Sequence, residues 1–261
     1  MTKLAQRLAA LASVIAATGC NTVVAPVIAH ADGVTYTVEP FDYDSIGPMN
    51  FSVTQKQLGG SLCPCAKVPY PADGLHNDKG VAALVGTAMH PGDTVAGFSL
   101  GAQVISLYLA HNTPPAGVRF VLLGDTFARN DELVSKGEGI PPDIANHVIL
   151  VARQYDGWSD SPTRKDSPHY KLALQNAQMG AATIHDYVNA HLDDPANVVT
   201  TRGNITAILI PTQRLPLNGM KRMFGSDADD LDAQQRPLID SAYDRPSPTA
   251  EQLAASSGEQ R

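Results

Sequence analysis

Short apolar runs recur along this chain, set apart by polar stretches and by segments rich in glycine and proline. In Val118-Arg119-Phe120-Val121-Leu122-Leu123 and His147-Val148-Ile149-Leu150-Val151-Ala152, apolar residues fall on both alternating positions. That is the pattern of a strand buried on both faces. Residues 204–210 repeat it and stop at Pro211. Val34-Thr35-Tyr36-Thr37-Val38 alternates like a short strand, and residues 50–53 read as another. Between these runs the period lengthens. Residues 77–89 place Val81, Leu84, Val85 and Ala88 on one side of a helix, 102–110 continue a helical pattern, and 172–192 read as helix in one or two pieces. Strands alternating with helices predict an α/β fold, a three-layer sandwich around a mostly parallel sheet.

One junction carries chemistry. Thr94-Val95-Ala96 runs into Gly97-Phe98-Ser99-Leu100-Gly101, and an Ala-rich helical pattern leaves it. A Gly-x-Ser-x-Gly turn between strand and helix is the nucleophile elbow of an α/β-hydrolase. The glycines let strand and helix meet closely. The turn lifts the Ser99 hydroxyl above the sheet edge and aims the Leu100 N–H at the place where an oxyanion would form.

Composition narrows the setting. The 261 residues are 43% hydrophobic and 17% charged, enough for one domain with a full core. A net charge of −7 argues against a nucleic-acid partner. Lys3 and Arg7 precede an apolar stretch at 8–17, and Ala29-His30-Ala31 is a small-x-small cleavage site, so residues 1–31 read as a signal peptide. Ala17-Thr18-Gly19-Cys20 offers an alternative, a lipobox that would leave Cys20 lipidated. Its first position usually holds a larger aliphatic residue, so cleavage after Ala31 is favoured. The expected location is secreted or in the cell envelope. Cys63-Pro64-Cys65 would close a very small ring if bridged; free thiols or a labile disulfide are the alternatives. No metal or organic cofactor is expected, since two cysteines without nearby ligands make no zinc set. After Met220 the chain turns acidic and Pro/Ser-rich, which predicts a folded domain over 32–245 and a disordered tail over 246–261.

A serine nucleophile needs a base, and the base an orienting carboxylate, in the chain order Ser, Asp or Glu, His. Asp125 and Asp156 each follow a predicted strand; Asp156 is the better placed, with Asp160 its competitor. Among later histidines, His191 lies at a helix end and reads as solvated, whereas spacing alone does not separate His169 from His185.

These residues resemble the PE-PPE domain of mycobacteria and relatives, a serine α/β-hydrolase domain related to cutinases. The likeness runs over about 66–245: Pro69-Tyr70-Pro71-Ala72, the elbow, Leu123-Gly124-Asp125, Tyr155-Asp156-Gly157-Trp158-Ser159-Asp160-Ser161-Pro162, Ile184-His185-Asp186-Tyr187, Ile210 to Leu217 and Arg236 to Arg245. The resemblance implies Ser99, Asp156 and His185 as a triad; the cutinase comparison favours His169 instead. It implies a secreted esterase or lipase acting on acyl esters or lipids, with 158–179 as an apolar lid and a possible association with the cell envelope. Acyl transfer between trehalose-type envelope glycolipids is the alternative it also implies. The family opens with a strand ending in a Gly-Gly-Thr-Gly-type loop, whereas this chain has only Gly59-Gly60-Ser61-Leu62. Gly60 or Ser61 is therefore the expected second oxyanion donor. The shortened front also admits a third reading, an exported envelope protein that keeps the fold without the chemistry.

Overall fold

A computed structural model describes residues 33–41, 53–125, 135–225 and 227–256. The signal-peptide reading over 1–31, the lipobox at Cys20 and most of the expected strand at 50–53 lie outside these residues. Val53 itself begins a helix.

The described chain builds one seven-stranded sheet in the order β2-β1-β3-β4-β5-β7-β6. Its strands are β1 (Thr35–Val38), β2 (Cys65–Lys67), β3 (Thr94–Phe98), β4 (Arg119–Leu123), β5 (Val148–Arg153), β6 (Val198–Arg202) and β7 (Ile205–Ile210). All neighbours pair in parallel except β6 and β7, which pair antiparallel. The α/β architecture is the one the apolar runs predict.

The doubly apolar strands work as expected, with side chains alternating between two cores. Phe120 and Leu122 of β4 join Val95, Val104, Ile105 and Leu109 on one face, under α2 (Asn77–Val85) and α3 (Leu100–His111). Val121 and Leu123 join Phe98, Val151, Ile208 and Tyr187 on the other. That second face is covered by α1 (Val53–Lys56), the 57–60 turn and residues 187–192. A third cluster of Tyr155, Ala173, Leu215, Ile239 and Tyr243 lies past the C-terminal end of β5. It involves α4 (Tyr170–Thr183) and α6 (Ala228–Asp240).

Several expectations are corrected. The helix expected over 172–192 ends at Thr183; residues 187–192 instead lay Tyr187, Ala190 and Leu192 on the sheet. Two short helices follow β7, α5 (Gly219–Met223) and α7 (Ala250–Ala255). Residues 250–255, assigned to a disordered tail, form α7 because Thr249 and Gln252 cap it reciprocally, at 3.2 and 2.9 Å. Gln252 also donates to the Asn197 carbonyl at 3.2 Å. Cys63 and Cys65 are joined in a disulfide.

Chain direction places the site. From β1 the chain moves outward to β2; β3 then pairs on the other side of β1 and the chain continues to β4. The carboxyl ends of β1 and β3 thus flank a topological switch point, where open α/β sheets form their binding crevice.

Candidate active site

Ser99 sits at that switch point, between the last residue of β3 and the first of α3. Its φ of 54° and ψ of −118° are strained for a residue with a side chain, as an elbow requires. The Ser99 N–H donates to the Leu123 carbonyl of β4 at 2.9 Å, which ties the turn to the neighbouring strand. Gly101 makes the close approach possible: a Cβ there would run into the Val38 carbonyl of β1. Ser99 is half-buried, and its side chain does not cap the helix it precedes. Leu100 is the first residue of α3, so its N–H belongs to the first-turn donors that no helix carbonyl can take. The helix dipole adds partial positive charge at the same spot.

His185 reaches this place from the far side of the sheet. Its ring stacks on Phe98, the residue before Ser99, with centroids 4.9 Å apart. It also abuts Gly124 at the end of β4, where a Cβ would lie 2.7 Å from His185 Cε1. His185 Nδ1 donates to Asp156 Oδ2 at 2.7 Å. A carboxylate only accepts, and a ring that donates to it through Nδ1 has Nε2 as its other nitrogen. Nε2 is buried and has no hydrogen-bond partner among the described residues.

Asp156 is fully buried, and its charge is met by donors. Oδ2 also accepts from the Tyr187 hydroxyl at 2.8 Å and Ser159 Oγ at 2.9 Å, while Oδ1 accepts from the Trp158 N–H at 3.1 Å. Burial, and next the adjacent Asp156 charge, push the Tyr187 phenol well above its ordinary range, so it remains a neutral donor. Small residues bring the Asp156 loop onto α4: a Cβ at Gly180 would strike the Tyr155 carbonyl.

The other candidates lie elsewhere. Asp160 is gripped by Arg245, Nε to Oδ1 at 2.7 Å and Nη2 to Oδ2 at 2.8 Å, and it accepts the Tyr155 N–H at 2.9 Å. Burial opposes the Arg245 charge, but Asp160 beside it holds the guanidinium above its usual range. Asp125 is buried and accepts from Ser106 Oγ on α3. His169 precedes α4, with its N–H 3.3 Å from Ser167 Oγ, and its ring makes no hydrogen bond among the described residues.

Gly60 and Ser61 fall in the turn before β2, and the Ser61 N–H is taken by the Leu58 carbonyl at 3.2 Å. The strand beside the elbow strand is β1, with Val38 opposite Gly97. Glu39, the residue after β1, lies beside the elbow: a Cβ at Gly101 would lie 2.7 Å from its carbonyl oxygen.

Sequence reasoning passed over Tyr187, Ser159, Phe98, Gly124 and Gln57. The first four stand inside motifs already singled out, Ile184-His185-Asp186-Tyr187, Tyr155-Asp156-Gly157-Trp158-Ser159, the elbow and Leu123-Gly124-Asp125. Gln57 carried no signal, because its partner is 130 positions away. His185 and Asp156 are thus hydrogen-bonded, and Ser99 directly follows Phe98, on which the His185 ring stacks.

A family model described as PE-PPE domain matches residues 79–244, more than half of the chain. Neither a curated protein nor a solved structure matches it. The match spans the elbow, the Asp156 loop and the His185 segment, and the chain therefore belongs to the PE-PPE domain family, a lipase-like α/β group.

Proposed function

We propose that this protein is a serine esterase in which Ser99, His185 and Asp156 act as nucleophile, base and acid. The observation that carries this reading is the His185–Asp156 bond of 2.7 Å, with Nε2 buried and without a partner among the described residues, close to the strained Ser99 elbow. His185 Nε2 takes the Ser99 proton as Oγ attacks an ester carbonyl. Asp156 holds the ring and stabilises the imidazolium. The Leu100 N–H, at the positive end of α3, binds the oxyanion of the tetrahedral intermediate. His185 returns the proton to the leaving alcohol, and water then releases the acid from the acyl-enzyme by the same route.

The half-exposed Trp158 ring lies 6.3 Å from the His185 ring, an apolar surface suited to an acyl chain. Acyl esters of the cell envelope are the proposed substrates. The test is labelling by a fluorophosphonate together with hydrolysis of p-nitrophenyl esters of graded chain length. Labelling and turnover are expected in the wild type and lost in Ser99→Ala.

A further inference from the structure

Among the described residues His185 makes a single side-chain hydrogen bond, to Asp156, and the segment that carries it is fixed through its neighbours. The neighbouring residues are tethered three ways. Arg153 donates to the Asp186 carbonyl through Nε at 3.1 Å and Nη2 at 2.9 Å. The Tyr187 N–H donates to Gln57 Oε1 at 2.7 Å, and the Tyr187 carbonyl accepts from the Leu58 N–H at 2.8 Å. The Tyr187 hydroxyl donates to Asp156 Oδ2 at 2.8 Å and accepts from the Arg153 N–H at 3.1 Å. Gln57 and Tyr187 are both buried. Leu58 adopts a left-handed conformation, φ 54° and ψ 30°, which a bulky residue avoids unless its surroundings hold it there. Residues 57 and 58 precede the span matched by the family model.

We infer that Gln57 and Tyr187 are positioning residues for the base: Gln57 and Leu58 clasp the Tyr187 backbone, and Tyr187 in turn sets Asp156 and the ring of His185. This rests on the assignment of His185 as base. Residues 57 and 58 thereby act on the centre of the site through a backbone clasp.

The test uses the full chain. Gln57→Met removes the acceptor at similar length, Gln57→Glu keeps an oxygen there, and Tyr187→Phe removes only the hydroxyl. Each is measured by ester turnover per titrated active site and by the low-field proton resonance of the His185–Asp156 bond. In Gln57→Met, kcat is expected to fall about 10- to 100-fold with KM within about threefold, because misplacement of the base acts on the reacting geometry rather than on binding. The low-field resonance should shift or broaden. Gln57→Glu should restore both, and Tyr187→Phe should move both in the direction of Gln57→Met. Wild-type kcat and an unmoved resonance in Gln57→Met would overturn the inference. A wild type without Ser99-dependent turnover would overturn the esterase reading instead, and the resonance alone would then decide whether the clasp positions the ring.

Discussion

Gly124→Ala probes the seat of the imidazole with a single methyl group. Gly124 directly follows β4 at φ +64°, and a Cβ there would lie 2.7 Å from His185 Cε1, 3.3 Å from His185 Nδ1 and 3.2 Å from Tyr187 Cε2. Carbon atoms in contact ordinarily sit about 3.5–4.0 Å apart, so the ring must retreat by roughly 1 Å. It cannot do so freely, since Nδ1 is tied to Asp156 and the ring stacks on Phe98. A displacement of about 1 Å at a reacting group costs on the order of 100-fold in rate. The left-handed backbone adds about 1–2 kcal/mol of destabilisation for alanine. The assay is kcat/KM on a p-nitrophenyl ester, normalised to sites titrated by fluorophosphonate, beside chemical denaturation. A fall of about 100-fold with a stability loss of about 1–2 kcal/mol is expected. A variant that loses that stability yet keeps the wild-type rate would show that the ring is not pinned as described.

Asp160→Asn should destabilise the fold by about 3 kcal/mol, because it removes the bidentate partner of Arg245, 3% exposed, and leaves Asp240 at 3.9 Å as the remaining carboxylate; the folded fraction should still label at Ser99. His169→Ala should turn over at close to the wild-type rate, whereas His185→Ala should lose about 10⁴-fold or more. The Asp240 carboxyl is pushed above its ordinary range by burial, against the pull of Arg245. The folded state therefore binds that proton more readily than the unfolded chain. The resulting stability is complete below the ordinary carboxylate value and is lost as pH rises through the raised one. Denaturation of wild type and Asp240→Asn across this window should show the wild type losing ground as pH rises.

The elbow was legible because its chemistry is local: strand, turn and helix are contiguous, and the glycines are demanded by the approach of α3 to β1. The central strands were legible because both their faces are buried. Elements without that signal were not. β6 is an edge strand, Val198-Val199-Thr200-Thr201-Arg202, with its last three residues exposed, so no apolar run marks it. α6 is largely polar and contains Pro237; it packs through Ala228, Asp232 and Ile239. Residues 184–192 have apolar residues enough for a helix, but Tyr187 is worth more on the sheet, where its hydroxyl meets Asp156. α7 did carry a local mark, Thr249 followed by Gln252, which the composition of the tail obscured. In the candidate site, Asp156 was marked by its place after a buried strand, but His185 was set ahead of His169 only by the family resemblance, since spacing did not separate them. The clasp by Gln57 carried no mark, because nothing in a sequence links positions 130 apart.

Mass-spectrometric mapping of the fluorophosphonate adduct on folded protein tests the central claim most directly. A single adduct on Ser99, absent from Ser99→Ala and strongly slowed in His185→Ala, is the expected result. An unlabelled folded protein, or an adduct that persists in Ser99→Ala, would contradict it.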